Sequence, residues 1–172
     1  MTVRVHLDTD FGGDPDDACA LAAILGWPGA TLLGITTNLD RDGTRAGCVN
    51  HLLGLAGRGR VPVAAGAGSS LTTGRRFECT WDDRRYWPRP PEPRPARPGA
   101  ALDLLARSID AGATIIATGA LTNLALLEVA RPGSLAGVRV VATAGWLGGL
   151  PSGFPPWGLT TVDASIHYNP LP

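Results

Sequence analysis

Short apolar, β-branched runs alternate along this chain with longer segments of helical spacing. Strands are predicted at residues 3–7, 31–37, 61–65, 113–118 and 138–142. Helices are predicted between them at 18–25, 43–57, 100–110 and 121–130. Strands that alternate with helices of about 10–15 residues form crossover units. The pattern therefore predicts an α/β fold with an open, mostly parallel, Rossmann-like sheet and helices on both faces.

Two segments interrupt this alternation. Residues 69–99 contain Trp81, Tyr86 and Trp87 and then a proline- and arginine-rich run, so they are predicted to form a long loop. Residues 145–172 are rich in glycine, proline and tryptophan and are predicted to be irregular. Neither segment has the pattern of a second core, so residues 1–172 are predicted to form a single domain. The loop aromatics could stack on a base or close over a pocket. The alternative is that they form a hydrophobic anchor for the loop or an oligomer contact.

Composition excludes several classes of protein. Hydrophobic residues make up 44% and charged residues 17%, which excludes disorder as the default state. The 15 basic residues balance the 15 acidic ones, and a chain without a basic excess is not expected to bind nucleic acid or a membrane surface. Every basic residue is arginine, which excludes Schiff-base and P-loop lysine chemistry.

The expected location is the cytoplasm. No apolar stretch reaches the roughly 18 residues that a membrane helix needs. The first apolar run meets Asp8 too early to be the core of a signal peptide. The three cysteines are widely spaced, which is typical of neither a disulfide framework nor a zinc site.

Aspartates are concentrated between the first strand and the first helix. Five of the fifteen acidic residues fall within ten positions, namely Asp8, Asp10, Asp14, Asp16 and Asp17. Ligands of open α/β sheets bind at the carboxyl ends of the strands, which is where this segment should lie. Carboxylates this close repel one another unless a cation offsets their charge, and calcium takes about six to eight such oxygens. The alternative is a solvated loop whose aspartates only cap the helix.

Residues 7–18, Leu-Asp-Thr-Asp-Phe-Gly-Gly-Asp-Pro-Asp-Asp-Ala, resemble the N-terminal signature of the nucleoside hydrolases, the inosine–uridine-preferring N-ribohydrolase family. Three further stretches, 33–37, 61–66 and 117–125, resemble the second, third and fourth strands of that family in the same order. The resemblance implies a hydrolase that cleaves the N-glycosidic bond of a small-molecule ribonucleoside. It also implies a calcium ion that holds the ribose 2′- and 3′-hydroxyls and the attacking water.

The resemblance further implies roles for individual residues. Asp10 would be a metal ligand and the general base that takes a proton from the water. The other implied roles are metal ligation by Asp17 and by the backbone carbonyl of Thr118, ribose binding by Asp16 and Asp163, and support of the ligands by Asp8. The segment is two residues longer than the shortest family version, so Asp14 and Pro15 fall in an insertion.

Some positions depart from the family pattern. The family runs to about twice this length and carries its last aspartate ligand and a leaving-group histidine in the C-terminal half. Asp40 and Arg41 stand where the family has a Gly-Asn pair. The alternative function is therefore a truncated, catalytically weak or inactive domain that binds a ribosyl ligand or a partner. An uncovered sheet edge would favour association, so a homo-oligomer is expected.

The remaining polar candidates have two interpretations each. Asn123 is expected to tie the start of its helix to neighbouring backbone, with a role in the site as the alternative. His6 is expected in the core or beside the ligands. His167 is the histidine nearest to a plausible site; it is not expected to be the leaving-group acid, and that role is the alternative. A phosphatase of the haloacid-dehalogenase type would also match Asp8-Thr9-Asp10, but it needs a lysine that this chain lacks.

Overall fold

The computed structural model describes residues 2–71, 74, 87, 89 and 91–143. In that part of the chain, strands and helices alternate. The strands are β1 (Val3–Thr9), β2 (Ala30–Thr37), β3 (Val63–Ala65), β4 (Thr114–Ala117) and β5 (Val140–Ala142). The helices are α1 (Asp16–Gly26), α2 (Thr44–Leu55), α3 (Ala100–Asp110) and α4 (Thr122–Ala130).

The five strands form one sheet in the order β3-β2-β1-β4-β5, and every pairing is parallel. The predicted α/β fold with a parallel sheet is therefore confirmed. Strand β1 lies at the centre, where Asp8 is in register with Thr36 of β2 and with Ala117 of β4. The carboxyl ends of the three middle strands consequently lie side by side.

Helices cover both faces of the sheet, as predicted. Because side chains alternate along a strand, Val5 and Leu7 lie on one face, where they pack with Leu21 of α1 and Leu53 of α2. The opposite face carries a second core. There Ile115 of β4 packs with residues of α3 and α4, including Leu105, Leu124 and Leu127.

A β-bulge interrupts the pairing of β1 with β2. Val5 pairs with Leu32, but the next residue of β1, His6, pairs with Gly34. Leu33 is therefore an extra residue on β2. The bulge places His6 beside a residue without a side chain, on the face that α3 covers.

The elements differ from their predicted limits by a few residues. Strand β1 continues to Thr9, so Asp8 lies within a strand rather than in a loop. Helix α1 begins at Asp16, two residues earlier than expected, and two acidic residues in its first turn favour that start because of the helix dipole. Strand β3 begins at Val63, since Pro62 has no N–H to donate to a ladder.

The proline-rich segment passes directly over α2. The N–H of Arg94 donates to the carbonyl of Gly43 at 2.8 Å, and a Cβ at Gly47 would collide with the carbonyl oxygen of Glu92. Residues 91–97 have no regular secondary structure, which agrees with the predicted loop. The other segment predicted to be irregular, 145–172, lies outside the described residues. Within the described ranges, no helix is both long and apolar enough to cross a membrane.

Candidate active site at the carboxyl ends of β1, β2 and β4

The carboxylate of Asp8 joins the ends of the central strands. Its Oδ1 accepts hydrogen bonds from the hydroxyl of Thr36 at 2.5 Å and from Nδ2 of Asn123 at 2.7 Å. Its Oδ2 accepts a longer bond, 3.4 Å, from Nδ2 of Asn38. The main-chain carbonyl of Asp8 accepts the N–H of Thr118 at 2.9 Å. Asp8 is fully buried, so it holds the surrounding groups in place rather than facing solvent.

Asp10 follows β1 and faces the turn after β4. A Cβ on Gly119 would lie 2.7 Å from Oδ1 of Asp10 and 2.9 Å from Oδ1 of Asn38. Only a residue without a side chain lets these two oxygens come so close to this backbone. The structure therefore brings the carboxylate of Asp10 against Gly119, the residue that follows Thr118.

Asp17 lies in the first turn of α1, 5% exposed, and accepts a hydrogen bond from the hydroxyl of Thr9 at 2.7 Å. Carboxylate oxygens of Asp14, Asp16 and Asp17 lie within 4.8 Å of one another. Asp14 and Asp16 are exposed, and Oδ1 of Asp16 accepts the N–H of Asp17 at 2.8 Å. Asp16 is the first residue of α1 and this bond lies within the first turn, since the N-cap residue is Pro15 and no side-chain cap is present.

Burial raises the pKa values of these carboxylates. It raises the pKa of Asp8 and of Asp10 to about 6. The charge of Asp17 adds to the shift at Asp10, and the charge of Arg45 opposes it. Burial also raises the pKa of Asp17, while the side chains of Thr118 and Thr9 lower it. A hydrogen bond with Asp16 is the largest cause of the raised pKa of Asp14. Several perturbed pKa values in one place are typical of a functional site.

Arg45 is a buried cation that the sequence analysis missed. Its side chain, on α2, donates to the carbonyl of Phe11 at 3.1 Å and to that of Leu39 at 3.3 Å. It therefore joins residues 8–17, the acidic segment, to the turn after β2. Its charge lowers the pKa values of Asp10 and Asp17. The available signal was a charged residue beside the small and apolar positions 46–49 of a helix.

Two asparagines complete the buried polar network. Asn123 donates to Thr37 O and accepts from the N–H of Ala67, each at 2.9 Å, so its expected structural role is confirmed. Asn38 was not anticipated, although a polar residue at the end of an apolar strand was a visible signal. Asn38 is fully buried, and its Oδ1 has no hydrogen-bond partner among the residues that the structure describes.

Oγ1 of Thr118 also lacks a partner with good hydrogen-bond geometry in this part of the chain. It is near enough to the carboxylate of Asp17 to lower that pKa without forming such a bond. Two buried oxygen atoms with unused lone pairs, Oγ1 of Thr118 and Oδ1 of Asn38, thus accompany the carboxylates at this site. A set of carboxylate, amide and hydroxyl oxygens fits a hard cation.

Asp40, at the position of the family's Gly-Asn pair, is hydrogen-bonded to the start of the helix that follows it, α2. Its carboxylate accepts the Thr37 hydroxyl at 2.6 Å and the N–H groups of Arg45 at 3.1 Å and Ala46 at 2.9 Å. Asp40 therefore caps α2. The neighbouring Arg41 is exposed.

Trp87 anchors the long loop against the acidic segment. Its ring centroid lies 6.2 Å from that of Phe11 and 5.8 Å from that of His51, and its Nε1 donates to the carbonyl of Gly12 at 3.3 Å. These contacts support the anchoring interpretation of this tryptophan. Trp81, Tyr86, Asp163 and His167 lie outside the described residues.

Comparison with known proteins finds related sequences and structures. Residues 5–149 match the family model described as inosine-uridine preferring nucleoside hydrolase. A pyrimidine-specific ribonucleoside hydrolase, RihA, of Shewanella baltica is 35% identical over 136 residues, which cover 74% of this chain and 42% of that protein. The chain thus spans less than half the length of this curated relative.

Solved structures give the same result. A plant nucleoside hydrolase, PpNRh1, superposes with a TM-score of 0.73 and is 28% identical, with coverage of 85% of this chain and 49% of that one. A purine-preferring ribonucleoside hydrolase from Gardnerella vaginalis shares the fold, with a TM-score of 0.68, 24% identity and coverage of 84% and 49%. On the match over residues 5–149, this chain belongs to the inosine–uridine preferring nucleoside hydrolase family.

Proposed function

We propose that this chain carries the catalytic base, the ribose site and most of the cation site of a ribonucleoside N-ribohydrolase. The observation that carries the proposal is the meeting of Asp10, Asp17 and Thr118 at one edge of the sheet. Beside them lies Oδ1 of Asn38, which has no hydrogen-bond partner among the described residues. The pyrimidine-specific and purine-preferring relatives support ribonucleosides as the substrate class.

The donor set fits calcium. Asp10, Asp17 and the Thr118 carbonyl supply hard oxygens, and Oδ1 of Asn38 adds an amide oxygen. A calcium ion bound there would supply positive charge, chelate ribose hydroxyls and lower the pKa of a bound water. Arg45 already supplies one buried positive charge on the same carboxylates. The single positive charge of Arg45 does not balance the carboxylates of Asp8, Asp10 and Asp17, so the proposed site needs a divalent cation as well.

Asp10 is the proposed general base. A base works best when its pKa lies near the working pH, and burial raises the pKa of Asp10 to about 6. Asp10 would take the proton from a water that attacks the anomeric carbon. The surrounding carboxylates, Asp8 and Asp17, would stabilise the positive charge that develops on the sugar as the nucleobase leaves.

Asp16 is the proposed acceptor for a ribose hydroxyl, since it is exposed at the open end of the cluster. Asp163 is proposed for the same task from the family resemblance alone. Asp8 holds Asn38 and Asn123 in place without contact to solvent. The expected cytoplasmic location and homo-oligomeric state are proposals as well.

Release of free ribose tests the proposal. The purified chain is incubated with inosine, uridine and cytidine, with calcium and with excess chelator. We expect calcium-dependent ribose release that Asp10→Asn abolishes and that the exposed control Asp42→Asn leaves unchanged. Calcium binding without ribose release from any nucleoside would favour the alternative, a domain that binds a ribosyl ligand without turnover. Absence of both would contradict both functions.

A further inference from the structure

A buried chain of hydrogen bonds joins α3 to Asp8 through His6. Oγ of Ser108 lies 2.8 Å from Nδ1 of His6, and Nε2 of His6 lies 2.9 Å from Oγ1 of Thr36. Oγ1 of Thr36 in turn donates to Oδ1 of Asp8 at 2.5 Å. His6, Thr36 and Asp8 are 0% exposed and Ser108 is 3% exposed. Because these side chains do not contact solvent, each hydrogen in these bonds must come from the linked groups themselves.

Counting protons fixes the direction of this chain. Thr36 has one hydroxyl proton, and it donates that proton to Asp8. Oγ1 of Thr36 must then accept from His6, so Nε2 of His6 carries a hydrogen. Burial lowers the pKa of His6 to about 4, so the ring is neutral near pH 7 and has one proton to give. The other ring nitrogen, Nδ1, is then an acceptor.

Ser108 supplies the matching donor. Its hydroxyl lies 2.8 Å from Nδ1 of His6 and 3.1 Å from the carbonyl oxygen of Leu104. The Leu104 carbonyl lies one helical turn before Ser108 in α3 and has a main-chain N–H as its helical partner. It does not need the hydroxyl, whereas a bare Nδ1 in the core does.

The fold is built around the ring in this position. His6 pairs with Gly34 across the β-bulge, and a Cβ on Gly34 would lie 3.4 Å from Nδ1 of His6 and 2.9 Å from Cδ1 of Leu104. A methyl group at Gly34 would press on the Leu104 side chain of α3 and come into van der Waals contact with the ring. The absence of a side chain at Gly34 thus lets α3 pack closely over His6.

We propose that His6 is a positioning residue, held as its Nε2–H tautomer, which directs the single proton of Thr36 to Asp8. Asp8 thereby remains an acceptor for Thr36, Asn38 and Asn123 together. Oδ1 of Asn38 in turn lies beside Oδ1 of Asp10 against Gly119, in the turn after β4. The effect on catalysis rests on the proposed function, but the tautomer does not.

The tautomer is measured by proton–nitrogen correlation spectra of the imidazole rings in the ¹⁵N-labelled protein at pH 7. The chain has three histidines, and the signals of His6 are those that disappear in His6→Gln. We expect a protonated Nε2 and a bare Nδ1. A protonated Nδ1 in the unaltered protein would overturn the proposal.

Two variants test the direction of the chain. In Thr36→Val, Nε2 loses its acceptor, so the proton should move to Nδ1 and be donated to Ser108. In Ser108→Ala, Thr36 still needs a donor, so Nε2 should stay protonated. If Thr36→Val keeps the original tautomer, or if Ser108→Ala reverses it, the proposal is wrong. The Ser108→Ala result remains decisive if Thr36→Val does not fold.

The catalytic consequence is tested with ribose release. Loss of a group that orients catalytic residues typically costs about 10–100-fold, so His6→Phe should lower kcat to that extent while KM changes less than about twofold. His6→Gln, which keeps an N–H donor, should recover part of the loss, and His51→Phe should match the unaltered protein. An unchanged kcat in His6→Phe overturns the positioning role. No ribose release from the unaltered protein, with the Nε2–H tautomer present, counts against the proposed function alone.

Discussion

Nδ2 of Asn123 donates a 2.7 Å hydrogen bond to Oδ1 of Asp8, although the two residues lie 115 positions apart in the sequence. The same amide nitrogen donates to the carbonyl of Thr37, and its oxygen accepts from the N–H of Ala67. One side chain therefore holds the ends of β1, β2 and β3 against the start of α4.

Replacement of Asn123 by alanine should destabilise the fold strongly. It removes one of the three donors of Asp8 and leaves the buried carbonyl of Thr37 and the half-buried N–H of Ala67 without this partner. Unsatisfied buried groups cost about 1–3 kcal/mol each. We expect a loss of roughly 2–4 kcal/mol in the free energy of unfolding, measured by urea titration. The control is Asn50→Ala, which loses one half-buried bond to Ala46 within α2 and should cost less than about 1 kcal/mol. Equal losses in the two variants would contradict the role of Asn123.

A methyl group on Gly119 should weaken cation binding more than stability. The added carbon would press on the ends of the Asp10 and Asn38 side chains, which can move, rather than on backbone. We expect Gly119→Ala to lower calcium affinity at least about tenfold in calorimetric titration, with a small change in Tm. Gly13→Ala is the matched control, because a Cβ there meets nothing within 4 Å. Unaltered affinity in Gly119→Ala would place the cation elsewhere.

Two glycines of α2 should respond to alanine in opposite directions. Alanine is favoured over glycine in a helix by about 0.5–1 kcal/mol. At Gly54 a Cβ meets nothing within 4 Å, so Gly54→Ala should stabilise the protein by up to that amount. At Gly47 the Cβ would collide with the carbonyl oxygen of Glu92, so Gly47→Ala should destabilise it. Thermal unfolding measures both, and stabilisation by Gly47→Ala would show that residues 92–95 are not held against the helix.

Calcium affinity should rise with pH through the range of the Asp10 pKa. Burial raises that pKa to about 6, so below pH 6 a proton competes with the cation for the carboxylate, and above it the competition ends. Between pH 7.5 and pH 5 we expect the affinity to fall by about tenfold for this group alone. Titrations across this range provide the measurement, with Asp42→Asn as a control that keeps the dependence. Affinity that is constant between pH 5 and 7.5 would show that Asp10 is not a ligand.

The fold was predictable because the strands differ so clearly from the helices in their pattern. The run of apolar and β-branched residues at 31–37, for example, becomes β2 almost unchanged. The approach of Asp10 to Thr118 was also predictable, since the carboxyl ends of parallel strands meet at one edge. The pairing of β1 with β4, on which that approach depends, is observed.

The polar network was less predictable because it depends on side-chain direction across a bulge. The hydrophobic pattern of β1 and β2 does not predict that Leu33 is left without a pairing partner on β1, or that His6 pairs with Gly34. Arg45 belongs to a helix whose pattern alone gives no reason to bury a guanidinium against Phe11 and Leu39. Such contacts form only when three separate segments are already packed.

The position of β1 between β2 and β4 has a consequence for synthesis of the protein. Strand β2 follows β1 within about thirty residues, but β4 is made more than one hundred residues after β1 begins. A nascent chain that has paired β1 with β2 still offers the other edge of β1, with its free N–H and C=O groups, to any passing strand. Emergence of Thr114–Ala117 from the ribosome would close that edge and bring Thr118 to Asp10 in one step. One folding event would then both protect the growing chain against aggregation and assemble the cation site.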